Sequence, residues 1–244
     1  MPAEKKKILI VDDSETSAMY TCVLLSRMGF DVVPVQNGLE ALKYLKADTP
    51  EMIIMDIDSR RDEAAVTLKH IKEDKKASRV PVVAISAGTR AEAEQACAEY
   101  KCCGHLTRPI EIKELHEVLQ NCIFSNLGWT RKYIRTHYDV RVSVVHDGAT
   151  YELFTQTLSE GGMYVRKRNP LPIGSDVTVE VPVGMGESVT LKGTVVFAKG
   201  LYGGVFTSPP GMAIEFRDVP SDSALRITDY VSRLLTEEIL EYQE

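Results

Sequence analysis

A chain of 244 residues with 44% apolar and 26% charged residues has the composition of an ordinary globular protein of one or two domains. The formal net charge is −6, and neither half has the basic excess that is typical of DNA-binding domains, so we expect no DNA partner. The polar start MPAEKKK is followed by an apolar run of only four residues, so we predict no signal peptide and no membrane insertion. We therefore expect a cytoplasmic protein.

The first half alternates short apolar runs with segments of helical periodicity. The runs are ILIV, DVVPV, MIIMD, VPVVAIS and GHLT, and the last helical segment places Ile112, Leu115 and Leu119 on one face. Continuous apolar runs are typical of strands covered on both faces, and alternation with helices indicates a parallel sheet. We therefore predict a doubly wound, five-stranded α/β domain of the flavodoxin-like kind over residues 1–123.

Polar residues follow four of these predicted strands. Asp12 and Asp13 follow the first run, Asp56 ends the third, Ser86 ends the fourth and Arg108 follows the fifth. Ligands of such sheets bind beyond the carboxyl ends of the strands, so we expect these side chains to converge. Three carboxylates suit a hard divalent cation such as Mg²⁺. With this cation, Asp56 becomes a candidate nucleophile toward a phosphoryl donor, and Ser86 and Arg108 are candidates for stabilising the transferred group.

This set of residues resembles the CheY-like response-regulator receiver domain. The resemblance implies that a histidine kinase phosphorylates Asp56 and that Asp12, Asp13 and Asp56 hold the metal. The chain departs from the family pattern at Arg108, where a lysine is usual, and at His105, which stands at the position of an aromatic switch residue. The loop after Asp56 also lacks the usual proline and glycine. A guanidinium is larger and forked, so we expect altered phosphorylation rates.

Two other interpretations of these residues remain open. The segment from Asp56 to Asp58 is similar to the D-x-D start of haloacid-dehalogenase-type phosphatases, but it follows two earlier strands and leaves Asp12 and Asp13 without a role. Aspartates at strand ends can also cap the next helix, as Asp13 with Ser14 could do here.

The five cysteines all lie before residue 123. An odd number without regular spacing does not predict a disulfide framework, so we expect reduced thiols. A cluster of possible metal ligands lacks a paired C-x-x-C element and does not predict a zinc site; its members are Cys97, Cys102, Cys103 and His105.

In the second half the apolar period changes to two. Alternation begins at Tyr138 and recurs over residues 177–181 and 189–197, with proline- and glycine-rich turns between the segments. This pattern predicts a small antiparallel β-barrel over residues 138–244. A helix with an apolar stripe, which includes Ile227, Val231, Leu234 and Leu235, closes it behind the N-cap candidate Ser221. Residues 124–137 are predicted to form a linker.

The linker and the second predicted barrel strand carry a second motif. Arg131 and Arg135 form an R-x-x-x-R arm, and Thr157, Ser159 and Gly162 follow the spacing of a D/N-x-S-x-x-G segment. Together they resemble the PilZ domain, which implies a six-stranded barrel that binds cyclic di-GMP. Arginine can pair with phosphate and with the guanine edge. Thr157 stands where the family has Asp or Asn, so we expect weaker binding.

The sequence thus predicts a non-enzymatic regulator with two inputs, phosphorylation and cyclic di-GMP, and a protein partner as its output. An alternative is an adaptor in which both sites are degenerate and both domains bind only proteins. The apolar stripe of the last helix could support a homodimer.

Overall fold

The computed structural model describes residues 6–58, 61–124, 133–200 and 209–236. The chain divides into two compact units, which consist mainly of the residues up to 132 and of the residues from 133 on. Within the described ranges, the helices are too short or too polar to cross a membrane.

The first unit is a parallel five-stranded sheet with helices between the strands, which confirms the predicted α/β class. The strands, in the spatial order β2-β1-β3-β4-β5, are β1 Lys7–Val11, β2 Asp31–Val35, β3 Met52–Asp56, β4 Val82–Ser86 and β5 Gly104–Thr107. The helices are α1 Glu15–Arg27, α2 Gly38–Ala47, α3 Arg61–Glu73, α4 Arg90–Tyr100 and α5 Ile112–Leu119; a 3-10 turn spans Ala77–Arg79, and α5 continues as a π-helical turn over Gln120–Phe124.

The sheet is held by its three central strands. β1, β3 and β4 are buried along almost their whole length, whereas β2 lies at an edge and is partly exposed. Each fully buried Ile or Leu on these strands contributes roughly 1.5–3 kcal/mol through the hydrophobic effect. Because the chain turns in opposite directions after β1 and after β3, their carboxyl ends face one crevice, where α/β sheets bind ligands.

Cys103 and Cys122 form a disulfide, with 5.9 Å between their Cα atoms, so the prediction of reduced thiols is wrong for this pair. Cys103 precedes β5, and Cys122 lies in the π-helical turn that extends α5. Gly104 lets the helix approach, since an added Cβ would lie 3.2 Å from Val118 and 3.6 Å from the Cys122 sulfur. Cys103 and Cys122 are close only because the extension of α5 packs against β5, so the spacing of the cysteines in the sequence does not reveal the pair.

The second unit is a closed antiparallel barrel with a helix at its end, as predicted. Its strands are β6 Arg135–His137, β7 Arg141–His146, β8 Ala149–Ser159, β9 Gly162–Arg166, β10 Asp176–Gly184, β11 Glu187–Lys199 and β12 Gly211–Arg217, followed by α6 Ser221–Thr236. The ring runs β8-β7-β10-β11-β12-β9 and is closed by pairing of β9 with β8. β6 pairs with the end of β8 beyond the stretch that β7 covers.

The helix α6 is fixed to the barrel by apolar and aromatic contacts. Ile227, Val231 and Leu235 are buried, whereas Leu234 of the predicted stripe is only half-buried. The ring of Tyr230 meets that of Tyr138 edge to face at 5.6 Å. The Tyr138 hydroxyl donates to the carbonyl oxygen of Pro182 at 2.7 Å, and burial raises the pKa of this phenol. The barrel therefore carries an aromatic contact with α6 at its helix-covered end.

We predict that the disulfide stabilises the first unit. It closes a loop with a sequence separation of 19 residues, for which loop-closure entropy gives about 3 kcal/mol. Denaturant unfolding of the Cys103→Ser, Cys122→Ser double variant should show this loss without reductant. The half-buried Cys97 has no disulfide partner, so Cys97→Ser is the matched control. Equal stability of the wild-type protein with and without dithiothreitol would contradict the prediction.

We also predict that Gly162 is required for the barrel. A Cβ at this position would lie 2.3 Å from the carbonyl oxygen of Ile214 on the paired strand β12. Gly162→Ala should lower the free energy of unfolding by about 1–3 kcal/mol or more, because a backbone carbonyl cannot move aside cheaply. At Gly200 nothing in the described part of the chain lies within 4 Å of an added Cβ, so Gly200→Ala should change stability by less than about 0.5 kcal/mol. Similar losses for both variants in urea denaturation would refute the steric argument.

Candidate functional site

Three aspartates meet at the carboxyl ends of β1 and β3. Carboxylate oxygens of Asp12, Asp13 and Asp56 all lie within 4.8 Å of one another. The side chains of Asp12 and Asp56 are only 1% and 5% exposed, whereas Asp13 is exposed. The convergence arises because β1 and β3 are neighbours in the sheet. Carboxylates so close together and so little hydrated require nearby positive charge.

Arg108 supplies part of this charge. One terminal nitrogen of its guanidinium lies 2.7 Å from an Asp12 oxygen, and the other lies 3.2 Å from an Asp56 oxygen. Its Nε donates to the hydroxyl oxygen of Ser17 at 3.0 Å. The backbone N–H of Arg108 bonds to the carbonyl oxygen of Ser86, which fixes where the side chain leaves β5. The planar fork therefore bonds two carboxylates at once, which a single ammonium group cannot do in the same way.

The three carboxylates also suit a divalent cation. Arg108 brings a single positive charge to this cluster, through its contacts with Asp12 and Asp56. One oxygen of Asp12 accepts from the Ser14 backbone N–H at 2.9 Å, as in a helix cap, while the cluster retains other oxygens. Oxygen ligands of this kind suit Mg²⁺. The residues therefore fit the metal that was predicted here.

The hydroxyl of Ser86 has a partner that the sequence did not indicate. It lies 2.9 Å and 3.1 Å from the two carboxylate oxygens of Asp58, and the Ala87 backbone N–H donates to the same carboxylate. Asp58 is in turn fixed by its own backbone N–H, which donates to Asp56 at 2.8 Å. The sequence signal was a second carboxylate two residues after the strand end, which had been considered only as part of a D-x-D motif.

Two further polar residues line the crevice beside the aspartates and were missed from the sequence. Asn37 caps α2 by accepting from the Glu40 backbone N–H at 2.9 Å, and Glu63 on α3 accepts from the Gly38 N–H at 3.0 Å. A Cβ at Gly38 would lie 1.8 Å from the Thr67 hydroxyl oxygen, so this glycine permits α2 and α3 to pack closely. The two helices thereby form one wall of the crevice.

His105, the predicted switch residue, lies on β5 opposite Ala84 of β4. Its side chain is 16% exposed, and its Nε2 lies 3.9 Å from a carboxylate oxygen of Glu94 on α4. This separation is too long for a hydrogen bond, and Nε2 has no hydrogen-bond partner among the described residues. His105 therefore faces α4, so a change in the position of α4 would alter its surroundings.

The second predicted site assembles on three neighbouring strands of the barrel. Arg135 on β6 is paired with Ser159 on β8, and His137 is paired with Thr157. On the other edge of β8, Ser159 pairs with Gly162 at the start of β9. Four of the five predicted residues therefore lie side by side, while Arg131, like Trp129, lies outside the described residues. Spacing along the sequence did not identify His137.

The glycines of this motif provide space for close packing. A Cβ at Gly161 would lie 2.3 Å from the ring of Tyr133, which the sequence had not identified either. Gly161 and Gly162 are absent from the residues with positive φ, so steric room is their role here. The buried hydroxyl of Ser159 donates to the Gly162 carbonyl oxygen at 2.9 Å and ties the turn together. Tyr133 thus anchors the end of the arginine arm on this turn.

Comparison with known proteins supports both assignments. The family model of the response regulator receiver domain matches residues 8–120, and that of the PilZ domain matches residues 130–233. The polar-differentiation response regulators DivK of Brucella anthropi and Brucella ovis are 26% and 25% identical to the chain over 116 residues, which is 48% of this chain and 94% of those proteins.

Two solved structures also cover the first unit. The receiver domain of sensor histidine kinase PA1611 from Pseudomonas aeruginosa PAO1 is 23% identical, with a TM-score of 0.46, over 50% of this chain and 99% of that one. Chemotaxis response regulator CheY4 of Vibrio cholerae is 23% identical, with a TM-score of 0.44, over 48% and 97%. The family matches, together with the parallel sheet and the antiparallel barrel of this chain, show that the chain joins a response regulator receiver domain to a PilZ domain.

Proposed function

We propose that this protein is a signalling regulator with two inputs: a histidine kinase phosphorylates Asp56 of the receiver domain, and the PilZ domain binds cyclic di-GMP. The output is a changed protein surface that a downstream partner recognises, and the protein itself is not an enzyme. The observation that carries the proposal is the convergence of Asp56 with Asp12, Asp13 and Arg108 at one sheet edge.

The surroundings of Asp56 suit a phosphoryl acceptor. A carboxylate oxygen of Asp56 would form the new P–O bond while the P–N bond of a phosphohistidine breaks and the imidazole nitrogen keeps the electron pair. Arg108 already contacts Asp56, so its guanidinium is placed to pair with the added negative charge. Mg²⁺ held by Asp12, Asp13 and Asp56 would supply further positive charge against the phosphoryl oxygens.

The surroundings of Thr157 suit an anionic nucleotide. Arg135 is exposed and lies across the strand pair from Ser159, and the arm that contains it is anchored through Tyr133. A guanidinium here can pair with a phosphate or with the O6 and N7 edge of guanine. His137, across from Thr157, adds a second nitrogen-bearing ring beside the motif. Cyclic di-GMP offers both phosphates and guanines to this set.

The alternative is an adaptor in which neither site binds its ligand. Two observations favour it: Ser86 is already bonded to Asp58, and a neutral Thr157 replaces the family carboxylate or amide. A phosphatase of the haloacid-dehalogenase type receives less support, because Asp58 accepts hydrogen bonds from Ser86 and Ala87 instead of facing a leaving group. The two predictions below separate these functions.

The receiver prediction concerns covalent labelling. Acetyl phosphate with Mg²⁺ should add one phosphoryl group to the purified chain, as measured by intact-protein mass spectrometry, and Asp56→Asn or excess EDTA should abolish the addition. Arg108→Lys should change the rate of labelling or of loss, because an ammonium cannot reproduce both forked contacts. Absence of any adduct with acetyl phosphate and with a panel of phosphorylated kinases would favour the adaptor.

The PilZ prediction concerns nucleotide affinity. In isothermal titration calorimetry, Arg131→Ala and Arg135→Ala should each weaken cyclic di-GMP binding about tenfold to a hundredfold, the effect of losing a charge-assisted hydrogen bond. Thr157→Asp should bind equally well or more tightly. Trp129 fluorescence should saturate with cyclic di-GMP and respond little to GMP.

The matched control for the arginine variants is Arg226→Ala, since Arg226 pairs with Glu187 on β11 and lies outside the motif. Its affinity for cyclic di-GMP should equal that of the wild-type protein. If high micromolar cyclic di-GMP produced neither binding heat nor a fluorescence change, the nucleotide proposal would be refuted, and protein binding would remain as the function of the barrel.

A further inference from the structure

Two hydrogen-bond donors at the end of β4 point toward Asp58, which lies two residues after the proposed phosphoacceptor Asp56. They are the hydroxyl of Ser86, which is 3% exposed as a residue, and the backbone N–H of Ala87. Ser86 is held in this direction because its oxygen accepts from the Gly88 N–H at 3.0 Å. A hydroxyl and an adjacent N–H that point at one place form a small anion site, since both stabilise negative charge at short range.

The carboxylate of Asp58 occupies this anion site. One of its oxygens receives both donors, with the Ser86 hydroxyl at 2.9 Å. The backbone N–H of Asp58 donates to a carboxylate oxygen of Asp56 at 2.8 Å, which restrains the backbone from which the Asp58 side chain reaches this site. A phosphoryl group on Asp56 would present its oxygens in the same small space and would need the same donors.

We infer that Asp58 is an internal anion that takes the place of a phosphoryl oxygen at Ser86 and Ala87, and that it competes with phosphorylation of Asp56. The inference rests on the proposed phosphoacceptor role of Asp56 and adds a residue that controls it. Asp58 carries one negative charge and two oxygens, so it satisfies the donors only partly compared with a dianionic phosphoryl group. Phosphorylation therefore requires that Asp58 be displaced.

The contact also reaches α4. The segment Ala87–Thr89 leads directly into this helix, whose capping box joins Thr89 and Glu92 reciprocally. A ligand at Ser86 and Ala87 thus fixes the start of α4, on which Glu94 lies next to His105. Asp58 therefore restrains the segment that leads into α4, through the Ala87 N–H.

The test compares Asp58→Ala and Asp58→Asn with the wild-type full-length chain, using acetyl phosphate and Mg²⁺ as the probe. Asp58→Ala should be labelled on Asp56 at least about tenfold faster, because the charge-assisted contacts with Ser86 and Ala87 no longer have to be broken. Asp58→Asn, which keeps an acceptor oxygen but loses the charge, should fall between the two. The matched control is Asp62→Asn, an exposed carboxylate on α3 whose removal changes the net charge equally; its rate should equal that of the wild-type protein.

A second readout does not depend on phosphorylation. Amide hydrogen exchange at Ala87 should accelerate about tenfold in Asp58→Ala and stay near the wild-type rate in Asp58→Asn, since an amide oxygen can still accept the Ala87 N–H. Unchanged exchange in Asp58→Ala would overturn the assignment of Asp58 to the anion site.

The outcomes separate this inference from the proposed function. Labelling of the wild-type protein at the same rate as Asp58→Ala would leave phosphotransfer intact and overturn the competition. Labelling of only the Asp58 variants would support the competition and show that the native receiver excludes phosphate. Labelling of none of the variants would overturn both the competition and Asp56 as a phosphoacceptor.

Discussion

The forked contact of Arg108 with Asp12 and Asp56 is the interaction on which the receiver site depends. Two carboxylates that are 1% and 5% exposed cannot remain ionised side by side without compensation, and the guanidinium reaches both of them. Arg108 follows β5, and its backbone N–H is bonded to Ser86 at the end of β4, so its contacts link the ends of the first, third, fourth and fifth strands. Together with the neighbouring Asp13, these carboxylates offer the oxygen ligands that a divalent cation such as Mg²⁺ prefers.

Asp58 places a fourth carboxylate at this edge, and the geometry shows why it is tolerated. Its charge is met by the Ser86 hydroxyl and the Ala87 N–H, while Arg108 serves the other pair. The edge therefore has one part in which Arg108 contacts Asp12 and Asp56, and another part in which Ser86 and Ala87 donate hydrogen bonds to Asp58. A phosphoryl group on Asp56 would draw on both parts, because its oxygens would extend from the guanidinium toward Ser86. How strongly Asp58 resists displacement depends on its charge-assisted contacts with Ser86 and Ala87, each of about 1.5–3 kcal/mol.

Residues at strand ends could be predicted from the sequence because a parallel sheet brings all its carboxyl ends to one edge. Asp12, Asp13, Asp56 and Arg108 meet there for this reason. Asp58 lies two residues beyond β3, where the loop direction is set by the bond from its N–H to Asp56 and not by any periodicity. The Cys103–Cys122 disulfide depends on a π-helical turn after α5, and the Tyr133 contact with Gly161 depends on packing across the chain. Such contacts between distant residues leave no local pattern.

In the barrel, the residues of the predicted site are brought together by strand pairing and not by ion pairs between them. Pairing of β6 with the end of β8 puts Arg135 opposite Ser159, and pairing of β9 with the other edge puts Gly162 there as well. The Ser159 hydroxyl donates its hydrogen bond to the Gly162 carbonyl oxygen, so its main role is to fix the shape of the turn. The proposed anionic ligand would therefore depend on the charge of Arg135, with Thr157 as a neutral neighbour. Tyr133, two residues before Arg135, lies against Gly161 at the turn between β8 and β9. A ligand that contacts Arg135 would therefore act on a strand whose start is packed against this turn.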